Sequence, residues 1–331
     1  MLFYFLGTQK INIDQSYQEG NVNLRRCING AAILALVLTG MPVFSAGQRA
    51  TPARQGATPI VLASFTVLQD LTQIISGDLL DVRTITPVGG EVHEWELIPS
   101  NFRDLEDADL VLVNGLNLEE WMPQVLATVR TGVPVVEVAD RSGFPTIPIR
   151  IGELTGSPDP HVWMNPEGAI AYLQVIAAEL SQLVPEHQET FAANLSRGTA
   201  EIRATAEELQ HRFATLPDSA RTLITSEAAF LYFADFFGLD HDAIWGSNDE
   251  EEGTPGQIAR VVDLIRAQGI TVAFHESTIS DRHVRAVAEE TGIRVVGPLY
   301  VDSTGETGST AETYLGMLRA NTELIVRELL R

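Results

Sequence analysis

Cysteine is almost absent: Cys27 is the only one in 331 residues. It precedes an apolar run, so it does not stand where a bacterial lipoprotein carries its lipid. Cleavage beyond that run would leave no cysteine, which excludes a disulfide framework and a thiolate metal site from the mature chain. Positive charge is scarce too. Lys and Arg number 22 against 44 Asp and Glu, a net charge of −22. Such a chain is a poor partner for nucleic acid or an anionic membrane surface. The longest apolar run is Ala31–Phe44, 14 residues, short for a membrane-spanning helix. Gly-x-x-x-x-Gly-Lys, His-Glu-x-x-His and Gly-x-Ser-x-Gly are all missing, so no phosphate loop, zincin helix or nucleophile elbow is signalled. With 45% hydrophobic and 20% charged residues, the chain is globular rather than disordered.

What is present begins with a targeting pattern. Arg25 and Arg26 lead into Ala31–Phe44, and the small residues Ser45-Ala46-Gly47 follow. Basic, apolar, small is the order of a secretory signal. Residues 1–47 are therefore expected to export the protein to the periplasm or another extracytoplasmic space. An uncleaved run would serve instead as a membrane tether. Residues 48–57 read as a flexible lead-in.

From residue 58, strand and helix patterns alternate. Strands are predicted at 60–65, 81–88, 110–114 and 133–138, with helices at 68–75, 101–107 and 119–129 between them. Residues 141–160 are rich in Gly, Pro and Ser and read as a loop. Two long helical stretches, 167–184 and 188–214, break near Pro185. The alternation then returns, with strands at 221–226, 242–245, 272–274 and 294–301 and helices at 228–237, 254–268, 282–291 and 311–330. This order predicts an α/β fold: two βα lobes with parallel sheets, helices on both faces, and a helical connector between them. The expected divisions are 58–166 for the first lobe, 167–185 for the connecting helix and 186–331 for the second.

Ligands of open βα sheets bind beyond the carboxyl ends of the strands. Four residues fall on that rim. His93 lies in Gly90-Glu-Val-His-Glu-Trp-Glu96, a few residues after the second strand. His161 lies in Asp159-Pro-His-Val-Trp-Met-Asn-Pro166, where prolines restrict the backbone on both sides. Glu227 closes the apolar strand Thr222–Glu227, and Asp302 closes Val295–Asp302. Two imidazoles and two carboxylates suit a divalent transition metal. Each has a plainer reading: a solvated loop histidine, a cap for the next helix, the start of a turn at Ser303. Their shared rim favours the metal. The other histidines compete less well: His187 and His211 on exposed helix faces, His241 in an acidic turn, and His283 beside Arg282 and Arg285. His275, next to Glu276 at a strand end, is the strongest rival; that pair is expected to support the site rather than bind. Asn248–Gly253 is acidic but lacks the spaced oxygens of a calcium loop, and reads as a charged loop before a helix.

These motifs resemble the metal-binding lipoprotein/adhesin family, the solute-binding proteins of manganese, iron and zinc ABC importers. The likeness runs from about residue 58 to 331. Beyond the His93 and His161 segments it includes Thr225-Ser-Glu-Ala-Ala-Phe-Leu-Tyr-Phe233, Glu250-Glu-Glu-Gly-Thr-Pro-Gly-Gln-Ile258, Glu276-Ser-Thr-Ile-Ser-Asp281 and Leu299-Tyr-Val-Asp-Ser303. The resemblance implies two lobes joined by a rigid long helix, with the metal in the cleft. His93 and His161 would be the ligands of the first lobe, Glu227 and Asp302 those of the second. It implies an ABC permease and its cytoplasmic ATPase as partners, and a monomer that is not an enzyme. Zinc members carry a third histidine and a His-rich loop after the His93 turn. Here Glu227 takes that place, and residues 97–160 contain no histidine. Mn²⁺ is therefore expected, with Fe²⁺ or Zn²⁺ as alternatives. Neutral imidazoles are needed, so affinity should fall below about pH 6, and a small shift between lobes should release the ion. Two departures stand out: the lipid-bearing cysteine is absent, and His283 occupies a position where the family often has proline. The competing functions are a metal-dependent hydrolase with Glu94 or Glu276 as base, an adhesin with a structural metal, and a binder of chelated metal. The last would need basic or aromatic walls.

Overall fold

The computed structural model describes residues 58–249 and 252–331. The expected targeting segment, the lead-in, Cys27, Glu250 and Glu251 lie outside the described residues. Among those described, no helix is long and apolar enough to cross a membrane.

The first sheet is four parallel strands in the order β2-β1-β3-β4. β1 (Ile60–Ala63) and β3 (Leu110–Val113) form its centre, flanked by β2 (Asp81–Thr84) and β4 (Val135–Glu137). Both central strands are apolar at every position and fully buried, as a parallel strand covered on both faces requires. Their crossovers carry α1 (Thr66–Ser76), α2 (Pro99–Asp107) and α3 (Met122–Thr128). A short α4 (Val138–Ser142) occupies the start of the stretch expected to be loop. β2 ends four residues earlier than expected because Pro87, Gly89 and Gly90 turn the chain toward His93.

Two long helices follow. Asn165 caps α5 (Pro166–Leu183) by accepting the Glu167 N–H, and Pro166 opens its first turn. Val184-Pro185 ends it, and α6 (Gln188–Phe213) runs on for 26 residues. At 18 residues, α5 is about 27 Å long; it packs against α1, α4 and α6.

The remaining strands form two parallel pairs. β5 (Thr222–Glu227) pairs with β6 (Asp240–Trp245), and β7 (Val272–Glu276) with β8 (Arg294–Leu299). β5 and β7 lie side by side, linked by the Glu276 carboxylate, which accepts the N–H groups of Ser226 and Glu227 at 3.1 and 3.2 Å. α7 (Leu231–Phe237), α8 (Pro255–Gln268), α9 (Arg282–Thr291) and α10 (Tyr314–Leu329) cover these strands. Thr254 and Gln257 start α8 with a reciprocal capping box. The principal core runs from Leu62 and Leu112 through Tyr172 and Phe213 to Phe233 and Met317. A smaller core, including Ile224, Trp245, Val261 and Val284, fills the space beneath the later strands. One apolar mass therefore underlies both strand systems and limits their relative movement.

Candidate metal centre

His93, His161, Glu227 and Asp302 meet. One donor atom from each lies within 4.8 Å of all the others, although up to 209 positions separate them in sequence. His93 Nε2 stands 3.5 Å from Glu227 Oε1, and His161 Nε2 stands 3.4 Å from Asp302 Oδ1. The two imidazole centroids are 5.6 Å apart. Donors that share an ion at about 2.1 Å lie about 3.4 Å apart at a tetrahedral angle and about 4.2 Å apart when opposite. The observed spacings need only a slight contraction to reach that range.

Each side chain is placed by its own local chemistry. Asp159 Oδ1 accepts the His161 backbone N–H at 2.9 Å and faces ring Nδ1 at 3.1 Å. A proton held on Nδ1 leaves the Nε2 lone pair for a ligand. Asn114 Nδ2 donates to Pro160 O, and the Tyr232 hydroxyl donates to Asp159 O, so the turn is fixed from two sides. The Trp163 ring lies 5.2 Å from the His161 ring. At His93, the backbone N–H donates to Glu91 Oε1, and the carbonyl accepts from Glu120 N. Trp121 Nε1 donates to Val92 O at 2.7 Å. Glu227 is the last residue of β5, held through its N–H by Glu276. Asp302 follows β8, and its neighbours tie it to the first sheet's end of the site. Gly89 N donates to Ser303 Oγ, and Thr304 N donates to Thr66 Oγ1.

All four residues are buried, and their donor atoms are poorly satisfied. His93 Nδ1 and Nε2, His161 Nε2 and both Asp302 oxygens have no hydrogen-bond partner. Buried polar atoms left in this state are costly unless a ligand supplies the missing interaction. A divalent cation does so for His93 Nε2, His161 Nε2 and Asp302 together, and the donor set fits one. The electrostatics agree. Burial alone would depress both imidazoles, but carboxylates outweigh it: Glu227, Glu91 and Asp302 raise His93, and Asp159 and Asp302 hold His161 well above the usual histidine range. Burial pushes Glu227 up to about 7 against the pull of both histidines. Asp302 is desolvated, yet His161 and His93 hold it below the ordinary aspartate value.

None of the other five histidines joins this group. His241 is not in a turn; it lies on β6 with Nε2 2.7 Å from Thr225 Oγ1, and burial lowers it to about 3. Its strand begins Asp-His-Asp, and those polar residues mask the pairing with β5. His187 ends a short 3-10 turn and is half-buried with its ring 6.1 Å from Phe191, rather than on an open helix face. His211 is exposed on α6, and His283 packs edge-on to Trp245 at 5.6 Å. Glu276 is spent on the backbone of β5, and His275 Nδ1 faces Glu276 O. In the acidic loop, Asp249 accepts from Gly246 N and Glu153 N, which is a structural use of its charge. Asp159, Glu91 and Ser303 went unassigned in the sequence. For the first two, a signal exists: both histidines carry a carboxylate two positions earlier.

A cavity of about 40 Å³ leads to the site, with His93 and Glu227 in its wall beside Glu91, Glu94, Glu120 and Glu252. Fold and site together define a class, an α/β binding protein with a preassembled nitrogen-and-oxygen pocket for a divalent cation. The chain belongs to the ZnuA family, described as zinc-uptake complex component A, periplasmic, whose model matches residues 61–328; these are metal-binding solute-binding proteins of ABC importers. It is 34% identical over 294 residues to the manganese-binding lipoprotein MntA of Halalkalibacterium halodurans, covering 89% of this chain and 95% of that protein. It is 36% identical over 267 residues to the iron-binding protein YfeA of Yersinia pestis, covering 81% and 85%. The Mn-bound periplasmic metal-binding protein of Candidatus Liberibacter asiaticus shares the fold at a TM-score of 0.74, with 30% identity, 82% of this chain and all of that one covered.

Proposed function

We propose that this protein captures Mn²⁺ outside the cytoplasm through His93 Nε2, His161 Nε2, Glu227 and Asp302, and delivers it as cargo to an ABC permease in the inner membrane. The observation that carries this reading is the convergence of four buried side chains whose ligand atoms include four without a hydrogen-bond partner, His93 Nε2, His161 Nε2 and both Asp302 oxygens. Two carboxylates and two imidazoles favour a borderline-hard ion, whereas a third imidazole would favour Zn²⁺. Relatives named for manganese and for iron support the same choice, and Fe²⁺ is the next candidate. Zn²⁺ would still bind such a set tightly in solution, because intrinsic affinity rises toward the end of the series. The relatives' names, lipoprotein and periplasmic, support export by residues 1–47 and action beside the permease. The lobe divisions at 166 and 185 are proposed on the same footing.

The hydrolase reading loses support because Glu276, one of its two candidate bases, is committed to the backbone of β5. The test is Mn²⁺ titration by calorimetry of the chelator-stripped protein and of Asp302→Ala. Removing one of two anionic ligands should weaken binding by about two to three orders of magnitude, since outer-shell changes alone cost 10- to 100-fold. Unchanged affinity in Asp302→Ala defeats the proposal. Cellular manganese uptake after deletion of the gene separates transport from a structural metal.

A further inference from the structure

Each histidine turn carries a carboxylate two residues before its imidazole; the two differ by one methylene in that carboxylate and by Pro160 against Val92 between them. In Asp159-Pro160-His161 the carboxylate accepts the histidine N–H and lies behind the ring, against Nδ1. In Glu91-Val92-His93 the carboxylate also accepts the histidine N–H, at 3.0 Å. The longer side chain carries that same oxygen around the ring, to 4.0 Å from Nε2. His93 Nδ1 is left without a partner. Glu91 thus stands on the ligand side of its imidazole, not behind it.

Its position is also outside the four-donor group, whose members alone lie mutually within 4.8 Å. Glu91 is one-third exposed, whereas His93 is nearly buried. Both line the small cavity with Glu227. Two donors 4.0 Å apart can share an ion at about 2.0–2.2 Å from each. His93 Nε2 is common to this outer pair and to the inner group. Resting on the metal-capture reading above, we propose that Glu91 is a gateway ligand: with His93 Nε2 it holds the incoming, partly hydrated divalent cation. Glu227, His161 and Asp302 then replace its remaining waters, and Glu91 lets go. On release the sequence reverses.

The experiment is stopped-flow mixing of Mn²⁺ with chelator-stripped protein, followed by tryptophan fluorescence. Trp245 lines the cavity and Trp163 packs on His161, so both steps have a reporter. Three variants separate the causes. Glu91→Gln keeps an oxygen to accept the His93 N–H but loses the charged ligand. Glu91→Asp keeps the charge but withdraws it to the position Asp159 adopts. Glu94→Gln removes one charge from the same cavity wall. A bound first ligand makes each later ligation intramolecular, so Glu91→Gln and Glu91→Asp should each slow association and dissociation about tenfold. Their equilibrium affinity should change less than about threefold, because both rates fall together. Glu94→Gln should lose only about twofold in association, an electrostatic effect that vanishes in high salt. The proposal is overturned if Glu91→Asp associates at the wild-type rate. It is equally overturned if Glu91→Gln matches Glu94→Gln, or if affinity collapses with association unchanged. Wild-type protein that binds no Mn²⁺, Fe²⁺ or Zn²⁺ would overturn the capture reading itself, an outcome distinct from all of these.

Discussion

Replacing Glu276 by glutamine should stabilise the metal-free protein, and by an amount that grows with pH. The Glu276 carboxyl is fully buried between β5 and β7. Burial raises it from 4.5 to about 8, the nearby Glu227 adding to the effect and the Ser226 and Glu227 contacts opposing it. Between those two values the folded protein holds a proton that the unfolded chain has released. Unfolding then becomes easier as pH rises, by about 1.4 kcal/mol per unit. Relative to pH 4.5, the cost is about 3 kcal/mol at pH 7 and levels off near 5 kcal/mol above pH 8. Glutamine has the same shape and an oxygen for the two amide N–H groups, but nothing to titrate. The stability difference between variant and wild type, from urea denaturation, should therefore rise with pH between 5 and 8 at about that slope. Titrating groups other than the adjacent Glu227 cancel in the comparison. Glu276→Ala is the contrast: it leaves the Ser226 and Glu227 amides without an acceptor, at about 1–3 kcal/mol each, and frees the residue that aims Glu227. It should weaken Mn²⁺ binding while Glu276→Gln preserves it. A pH-independent difference for Glu276→Gln would show that Glu276 is ionised in the folded state and would refute the reasoning.

Two further outcomes concern the site. Metal binding must expel protons from groups held above their ordinary range, since His93 and His161 are both raised and Glu227 sits at about 7. Lower pH favours those protons, so affinity falls as pH drops. The decline should begin near pH 7, above the value of about 6 expected from free histidine, and steepen to about tenfold per unit per proton. Calorimetry in buffers of differing ionisation enthalpy should find protons released on binding at pH 6.5, and flat affinity from pH 6 to 8 would contradict it.

The alternation of strands and helices was legible because Ile60–Ala63 and Leu110–Val113 are unbroken apolar runs, and the Asn165-Pro166 and Thr254-Pro255 starts name their helices. The four donors were legible because strand ends mark the rim, and the motifs around them resemble a family. What escaped were interactions between distant positions. Nothing in Glu276 indicates that it will hold the amides of Ser226 and Glu227, about fifty residues away, in place of a backbone ladder. Nothing in Ser303 predicts its contact with Gly89. His241 was misplaced because its strand starts with charged residues at a sheet edge, where period-two alternation is weak. The positions of Glu91 and Asp159 around their imidazoles also depend on the tertiary turn and on side-chain length, which the shared spacing alone does not show.

The site's asymmetry argues for the direction in which the ion leaves. The His161–Asp302 side is locked across the two strand systems by buried hydrogen bonds. Trp163 Nε1 donates to Val301 O, the Tyr314 hydroxyl to Trp163 O, and Thr304 N to Thr66 Oγ1. Pulling the halves apart there would break all three at about 1 kcal/mol or more each and expose the core shared by Phe65, Trp163 and Tyr314. The His93–Glu227 side is different. It borders the cavity, and the loop that carries His93 meets the second strand system through the Gly89 N–H on Ser303 Oγ at 2.8 Å and through His93 Nε2, 3.5 Å from Glu227 Oε1. Opening at His93 breaks fewer hydrogen bonds between the strand systems than opening at Asp302, so the ion can leave if the loop beyond Gly89, from Gly90 to Ile98, swings. Hydrogen exchange should then slow in residues 90–98 when Mn²⁺ binds, while residues 300–304 stay protected in both states. Equal change in the two segments would mean that the halves part as bodies after all.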